Sequence, residues 1–572
     1  MGHDERVNYW TARRVSRRGV LRGVALGAAG LGLAGCAGGT TAPAAPTTAP
    51  MVPPPAAAAA TAPAAAATAA PAKRGGMIRT IATAAEGHID PHMTGGFSAG
   101  SYGPGACYNG LLTFKYGKDI KPTTYLVTGD LAESWTQPDD TTYVFKMRPG
   151  VRWQNISPVN GREVKADDIA YTYQRIRDIK SPYASFLAGI TKFDAVDATA
   201  LKLTLDKPNA DLLDTLATYY LTIVARERVE QTGDLKAMPL IGTGPFVLDT
   251  FEVGQRILMK RNPDYFQKGL PYIDGIESFR TADASQPPNA FRAGELNMVG
   301  SGMTIQAAED LVKQVPKTSV IYAPLDRNPV QLVLNTTLDA FKDIRVRQAI
   351  SKAIDRKAIV DSIFLGRAEL STGFSVPDAS WKIPEAELAR LYARDVAGAK
   401  QLLQQAGKDT GLSFKILTPT YQQNQFVTVA ELIQANLKDV GINTTLDTVD
   451  TPTHSTRQAN GQYDIFLAVA SAAAPNGWLN LRYATDGSQN YAKFSNKDLD
   501  KLIDQQAVMV KDTEGRKKAL LDIQRMTITD AVYLTLAVYP QPMLTAPEVK
   551  DFYPPMPGSV YHRLWDAVWI DK

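Results

Sequence analysis

Gly96-Phe97-Ser98-Ala99-Gly100 has the spacing of a nucleophile elbow, in which a serine on a sharp strand-to-helix turn attacks an acyl carbon. The motif needs a strand before the serine and a helix after it. Here Asp90-Pro91 precedes and Ser101-Tyr102-Gly103-Pro104-Gly105 follows, which predicts loop on both sides. The histidines downstream are only His454 and His562. A secreted serine hydrolase acting through Ser98 is therefore the alternative reading, not the main one. His88 and His92 stand four apart, a spacing that can chelate metal when both lie on one helix face. Asp90-Pro91 between them forbids that helix, and no third ligand cluster accompanies the pair, so no metal and no cofactor is expected. His88 is expected in a turn at a strand end, where it can face a cleft. Two further patterns fail on context. Gly30 to Gly35 fits a dinucleotide fingerprint but lies in an apolar leader, and Gly407-Lys408 lacks the Ser or Thr of a phosphate loop.

The leader sets where the rest of the chain works. Arg17-Arg18-Gly19-Val20-Leu21-Arg22 runs into a small-residue apolar stretch and then Leu33-Ala34-Gly35-Cys36. A charged head, an apolar middle and a small-residue exit make a secretory signal. Arg17 and Arg18 resemble the twin-arginine export signal, and the tetrapeptide ending in Cys36 resembles a bacterial lipobox. The second resemblance implies that the Cys36 sulfur takes a diacylglycerol and becomes the mature N-terminus. Residues 1–36 are thus expected to be signal peptide and lipobox. The apolar run Gly23–Gly35 has 13 residues, against the about 20 that span a bilayer, which disfavours an uncleaved anchor. Residues 37–72 are almost wholly Ala, Pro, Thr and Gly, and 37–74 is expected to be a stiff, coreless tether.

At 572 residues the chain exceeds one hydrophobic core. Its formal charge of +4 suggests nucleic acid, but the six arginines of the leader outnumber its two acids by four, so the mature part is neutral. No basic stripe is left for phosphates, and no nucleic-acid partner is expected. With Cys36 lipidated, Cys107 is the sole remaining cysteine and no intramolecular disulfide is expected.

Strand character begins at Met77–Ala82, and Asp90-Pro91-His92 turns the chain. Residues 94–110 are Gly-rich loop with a short helix toward Leu111-Leu112. Thr142–Met147 is expected to form a hairpin turning at Pro149-Gly150, and Ala166–Ile176 a helix capped by Asp167 or Asp168. Arg148, Arg152 and Arg162 near these acids read as ion pairs on a solvated face. Leu201–Leu205 and Ile257–Arg261 are strands by alternation. From Val330 the pattern is strand, a helix capped by Asp343, and one capped by Asp355 that stops at Gly366. Then come helix 395–405, strand 412–417, helix 424–439, strands 442–449 and 464–469, helices 497–511 and 514–529, and strand 533–539. Such alternation predicts an α/β lobe.

Several blocks in this order resemble the extracellular solute-binding proteins of peptide-type ABC importers, bacterial solute-binding family 5. They include Leu131-Ala132-Glu133-Ser134-Trp135, Tyr143 to Trp153, Gly242-Thr243-Gly244-Pro245-Phe246, Arg261-Asn262-Pro263-Asp264-Tyr265-Phe266, Asp343 to Ile350 and Ala353-Ile354-Asp355-Arg356. The resemblance covers nearly all of residues 75–572. It implies a two-lobed α/β fold like the periplasmic binding proteins (type II, cluster C-like) with an extra domain. Lobe I would comprise 75–112, 241–322 and 536–572, the extra domain 113–240, and lobe II 323–535. It further implies a lipid-anchored, monomeric capture protein without catalysis, which hands its solute to the transmembrane subunits of an ABC permease.

Relatives that bind free peptides carry an Asp-rich stretch after the strand equivalent to Ile465–Ala468, where one carboxylate neutralises the peptide ammonium. No acid lies between Asp464 and Asp486 here. An oligosaccharide or other neutral polar solute is therefore expected over a di- or oligopeptide, which stays the alternative. The candidate contacts are Trp478, Asn476, Arg482, Tyr491, Tyr421, Asn424 and His88: aromatic faces for CH groups, amides for hydroxyls, and a guanidinium suited to a carboxylate or phosphate. Trp478→Ala is expected to weaken solute binding without unfolding the protein.

Overall fold

The computed structural model describes residues 72–82, 87–93, 103–120, 125–281, 283, 285–300, 303–323, 329–420, 425–469, 474–538, 540–553 and 564–572. The leader with Arg17, Arg18 and Cys36, most of the tether, Ser98, Tyr421 and Asn424 lie outside them.

Three sheet-centred bodies follow from the apolar patterning. In the first, Met77–Ala82 runs parallel to Gly275–Arg280, and Arg256–Arg261 and Phe246–Glu252 continue the sheet antiparallel. Ile78, Phe246, Met259, Ile276 and Trp565 fill its core. The second is an antiparallel sheet ordered Ala132–Asp139, Thr142–Met147, Ala200–Leu205, Ile190–Asp197, with helix Ala166–Asp178 packed on it. The third is a five-stranded mixed sheet ordered Asn443–Val449, Ser413–Pro419, Ile465–Val469, Pro329–Leu334, Tyr533–Val538. Its interior strand Pro329–Leu334 is buried at every position, the pattern of a strand covered on both faces.

A further three-stranded sheet, ordered Met298–Val299, Gln541–Thr545, Ser319–Ala323, takes strands that precede and follow the third body in sequence. Ser319–Ala323 pairs with Gln541–Thr545, and Pro329–Leu334 pairs with Tyr533–Val538. Gly242 and Gly244 fasten the first body to Pro104–Cys107. A Cβ on Gly242 would lie 2.0 Å from the Cys107 carbonyl oxygen, so only glycine permits this approach.

Most element expectations match in kind, and three differ. The hairpin turns between Asp139 and Thr142, because Ala132–Asp139 is itself the partner strand; Pro149-Gly150 only ends it. Helix Ala166–Asp178 starts after Lys165, whose backbone N–H donates to Asp168 Oδ2 at 2.9 Å, so Asp168 caps from inside the first turn while Asp167 pairs with Arg226 at 3.0 Å. The short helix near residue 110 is a 3₁₀ turn over Pro104–Cys107, and Leu112–Phe114 is a strand. Arg162 grips Asp168 through Nη1 and Nη2 at 2.8 and 2.6 Å, a half-buried pair and not a solvated one. Among the described residues no helix is long and apolar enough to cross a membrane.

His92 ties the first two bodies together. Arg175 Nη1 approaches His92 Nδ1 at 2.6 Å, and arginine can only donate, so Nδ1 accepts and Nε2–H donates to Thr222 O at 2.8 Å. Arg175 Nη2 also pairs with Asp90 at 2.6 Å, all of it buried. Both ring nitrogens are therefore occupied by protein groups. Burial first, and the adjacent Arg175 second, push the His92 pKa down from 6.5 to about 4. Between those values the unfolded chain binds a proton that the folded chain does not, so stability falls as pH drops through this window. We expect the melting temperature to decline from pH 7 to pH 5, and His92→Gln to show a shallower decline. Parallel declines in the two proteins would show that His92 does not contribute.

Candidate functional site

The segment carrying most of the predicted contacts starts at Pro475, whose fixed φ suits the first helical position. A turn of α-helix, Pro475–Trp478, widens into a π-helical turn, Leu479–Tyr483. Trp478 and Arg482, four residues apart, come together on one side. The Arg482 guanidinium carbon stands 4.7 Å from the Trp478 ring centre and 5.6 Å from that of Tyr491. Trp478 is 2 % exposed and Arg482 6 %. Burial lowers the Arg482 pKa, and the neighbouring tyrosines only partly oppose this.

The third sheet supplies the surroundings. Its three parallel strands end together at Pro419, Val449 and Val469, and solutes of open α/β sheets bind beyond such carboxyl ends. Gln331 lies opposite Ala468, at this end. Its Nε2 donates to Tyr483 Oη at 3.2 Å and to Thr535 Oγ1 at 3.3 Å. The Tyr483 ring packs 4.8 Å from Tyr533, whose hydroxyl donates to the Arg482 carbonyl at 2.9 Å. Gly373, at φ +99°, closes over this group; a Cβ there would meet Thr535 Oγ1 at 2.4 Å and Gln331 Nε2 at 2.8 Å.

Among the described residues three buried atoms here have no hydrogen-bond partner, Arg482 Nε, Arg482 Nη1 and Gln331 Oε1, while the Trp478 indole N–H faces the Tyr483 hydroxyl. Unpaired buried polar groups are rare, and their clustering marks a place completed by something else. A groove of about 440 Å³ elsewhere on the third body offers a contrast. Its charges pair with protein groups, Arg457 with Asp447 at 2.6 Å and Asp464 with the Lys415 N–H at 2.9 Å.

Other predicted contacts fall elsewhere. Asn476 faces the second body: its N–H donates to Asp211 Oδ2 at 2.7 Å, its Nδ2 to Asn209 Oδ1 at 3.2 Å, and its Oδ1 accepts from Gln506 Nε2 at 2.6 Å. Arg516 pairs with Asp211 beside it, and Ala210 N–H donates to Ala507 O at 2.9 Å. Every polar atom of the Asn476 side chain is thus engaged by protein. His88 accepts from the Asp90 N–H at 3.3 Å, far in sequence from the Arg482 group. Tyr491 is half-buried, with its carbonyl taking the Tyr463 hydroxyl. His454, one of the two bases open to Ser98, is buried edge-on against Phe466 at 6.0 Å. Trp478 belongs to the core with Leu417, Phe466 and Tyr533, so its removal to alanine cannot leave the packing untouched, against the expectation that the fold is spared. Gln331 was missed, although a glutamine inside Pro-Val-Gln-Leu-Val-Leu is the visible signal.

The family model for bacterial extracellular solute-binding proteins, family 5 (middle) matches residues 127–492. The chain belongs to this family. It is a two-lobed solute-binding component of an ABC importer, working with permease subunits, and not an enzyme. Among curated relatives it is 27% identical over 403 residues to di/tripeptide-binding protein 1 of Pseudomonas aeruginosa, covering 65% of this chain and 73% of that one. It is 26% identical over 459 residues to heme-binding protein A of Haemophilus influenzae, covering 75% and 81%. Among solved structures, Helicobacter pylori DppA in complex with peptide STSA superposes at TM-score 0.73 with 24% identity, over 87% of this chain and 99% of that one. AgaA of A. tumefaciens R10 in complex with agropinic acid gives 0.72 with 23% identity, over 87% and 99%.

The contact between second and third bodies yields a stability test. Asp211 and Arg516 are both buried, at 1 and 7 % side-chain exposure. Asp211→Asn strands the cation, and a broken buried pair costs about 3–5 kcal/mol. In denaturant unfolding we expect Asp211→Leu with Arg516→Met to lose less than Asp211→Asn alone. A single variant as stable as the native protein would remove the pair from this role.

Proposed function

We propose that this family 5 protein is exported through Arg17-Arg18, anchored by lipid at Cys36, and captures a polar solute, such as an oligosaccharide, that presents no ammonium group. The observation that carries the reading is the segment between Asp464 and Asp486, which has no acid and sets the Arg482 cation among aromatic rings. A free peptide brings an ammonium group, and burying it beside an arginine without a carboxylate is unfavourable. Tyr491, half-buried, offers a ring to CH groups, and Gln331 offers an acceptor. The bound solute passes unchanged to the permease. The second reading, a di- or oligopeptide, draws support from the names of relatives such as di/tripeptide-binding protein 1.

Native mass spectrometry of freshly purified protein, followed by titration calorimetry with dialanine and its N-acetyl form, tests the choice. Binding of dialanine that is lost on acetylation would overturn the proposal. Trp478→Phe keeps a ring but removes the indole N–H, and is expected to weaken solute binding with little change in melting temperature. Trp478→Ala empties a core position and is expected to cost about 3–5 kcal/mol of stability. Membrane fractionation checks the anchor: Cys36→Ser should release the protein from the membrane pellet, and Arg17→Lys with Arg18→Lys should stop its export.

A further inference from the structure

Among the described residues seven arginines are buried: Arg175, Arg228, Arg280, Arg347, Arg356, Arg482 and Arg516. Six have hydrogen bonds to protein. Arg175 and Arg516 hold carboxylates, and Arg280 donates to Ser278 Oγ at 2.5 Å. Arg228, Arg347 and Arg356 donate to backbone carbonyls, at 3.0, 2.7 and 2.7 Å for their Nε atoms. Arg482 alone has no hydrogen bond from its guanidinium to any described residue, and Nε and Nη1 are shut away from solvent without a partner. Its neighbours are the rings of Trp478 and Tyr491. A π face attracts a cation, but it accepts none of the in-plane N–H bonds of the guanidinium fork. The other six buried arginines of the described residues are paired, and this one is open.

We propose that Arg482 is the anion-binding residue of the solute site and that the solute carries a carboxylate. This deepens the reading under Proposed function, on which it rests, and it replaces the expectation of a wholly neutral solute. Charge balance selects the class. The group provides one cation, so a monoanion is neutralised while a phosphate monoester would leave excess charge among buried rings. A carboxylate is also planar and accepts two parallel N–H bonds from one guanidinium edge. Gln331 Oε1 is an acceptor in the same neighbourhood, linked through its own amide to Tyr483, so the solute also offers a hydroxyl or N–H. Acidic sugars and N-substituted amino acids have both features.

The first test needs no solute. An unpaired buried cation destabilises the empty protein, so Arg482→Met should melt at the same temperature or about 2 °C higher. A clear fall would make Arg482 a structural residue and overturn the proposal. The second test titrates digalacturonate, gluconate and N-acetyldialanine, each against its methyl ester, by calorimetry. We expect the tightest ligand to be an acid, its ester to bind at least about 10-fold more weakly, and Arg482→Met to weaken the acid about 30-fold. Arg482→Lys, which keeps the charge and loses the fork, should recover only part of that loss. Failure of all three acids to bind, equal binding of acid and ester, or indifference to Arg482→Met overturns the carboxylate. The outcomes separate the two claims: a neutral disaccharide held equally by both proteins defeats the carboxylate and leaves Proposed function standing. Dialanine that needs its ammonium defeats Proposed function, and whether its methyl ester and Arg482→Met still bind is read independently.

Discussion

A charge removed from water must meet its opposite or a set of hydrogen bonds, and this requirement organises the molecule. Asp90 and Arg175 join the first body to the second, 85 residues apart in sequence. Asp211 and Arg516 join the second to the third across 305 residues. Each pair is buried, and each is completed by neighbours: His92 beside Arg175, and Asn476 and Gln506 beside the second pair. Apolar packing builds each body, but these pairs specify how one body meets another.

Against that rule Arg482 stands out, among the described residues, as the one buried guanidinium with no hydrogen bond to an acceptor. Its position follows from the widened helical turn Leu479–Tyr483 and from Gly373, whose missing Cβ lets a loop close over Gln331 and Tyr483. The polar atoms left open are buried over one face of the third sheet, among Leu417, Phe466 and Tyr533.

Asn476 shows how closely two roles can adjoin. It lies two residues before Trp478, yet its amide bridges to Asn209 and Gln506 while the ring beside it faces the core. One helical turn thus carries an interbody contact on one side and the Arg482 group on another.

Local features were legible from residue order alone. Asp343, Asp355 and Asp395 accept from N–H groups at their helix starts, Gly366 takes φ +70° at a helix end, and Leu201, Leu203 and Leu205 alternate inward, because caps, stops and pleats depend on near neighbours. The family blocks and the acid-free stretch from Asp464 to Asp486 were equally plain. The hairpin partner of Thr142–Met147, the inward turn of Trp478, the engagement of Asn476 by Asp211, and the open valences of Gln331 and Arg482 were not. Each depends on which residue from a distant segment arrives alongside, 265 positions away for Asn476 and 152 for Gln331 with Tyr483. No period or spacing records such meetings; only the packed chain creates them.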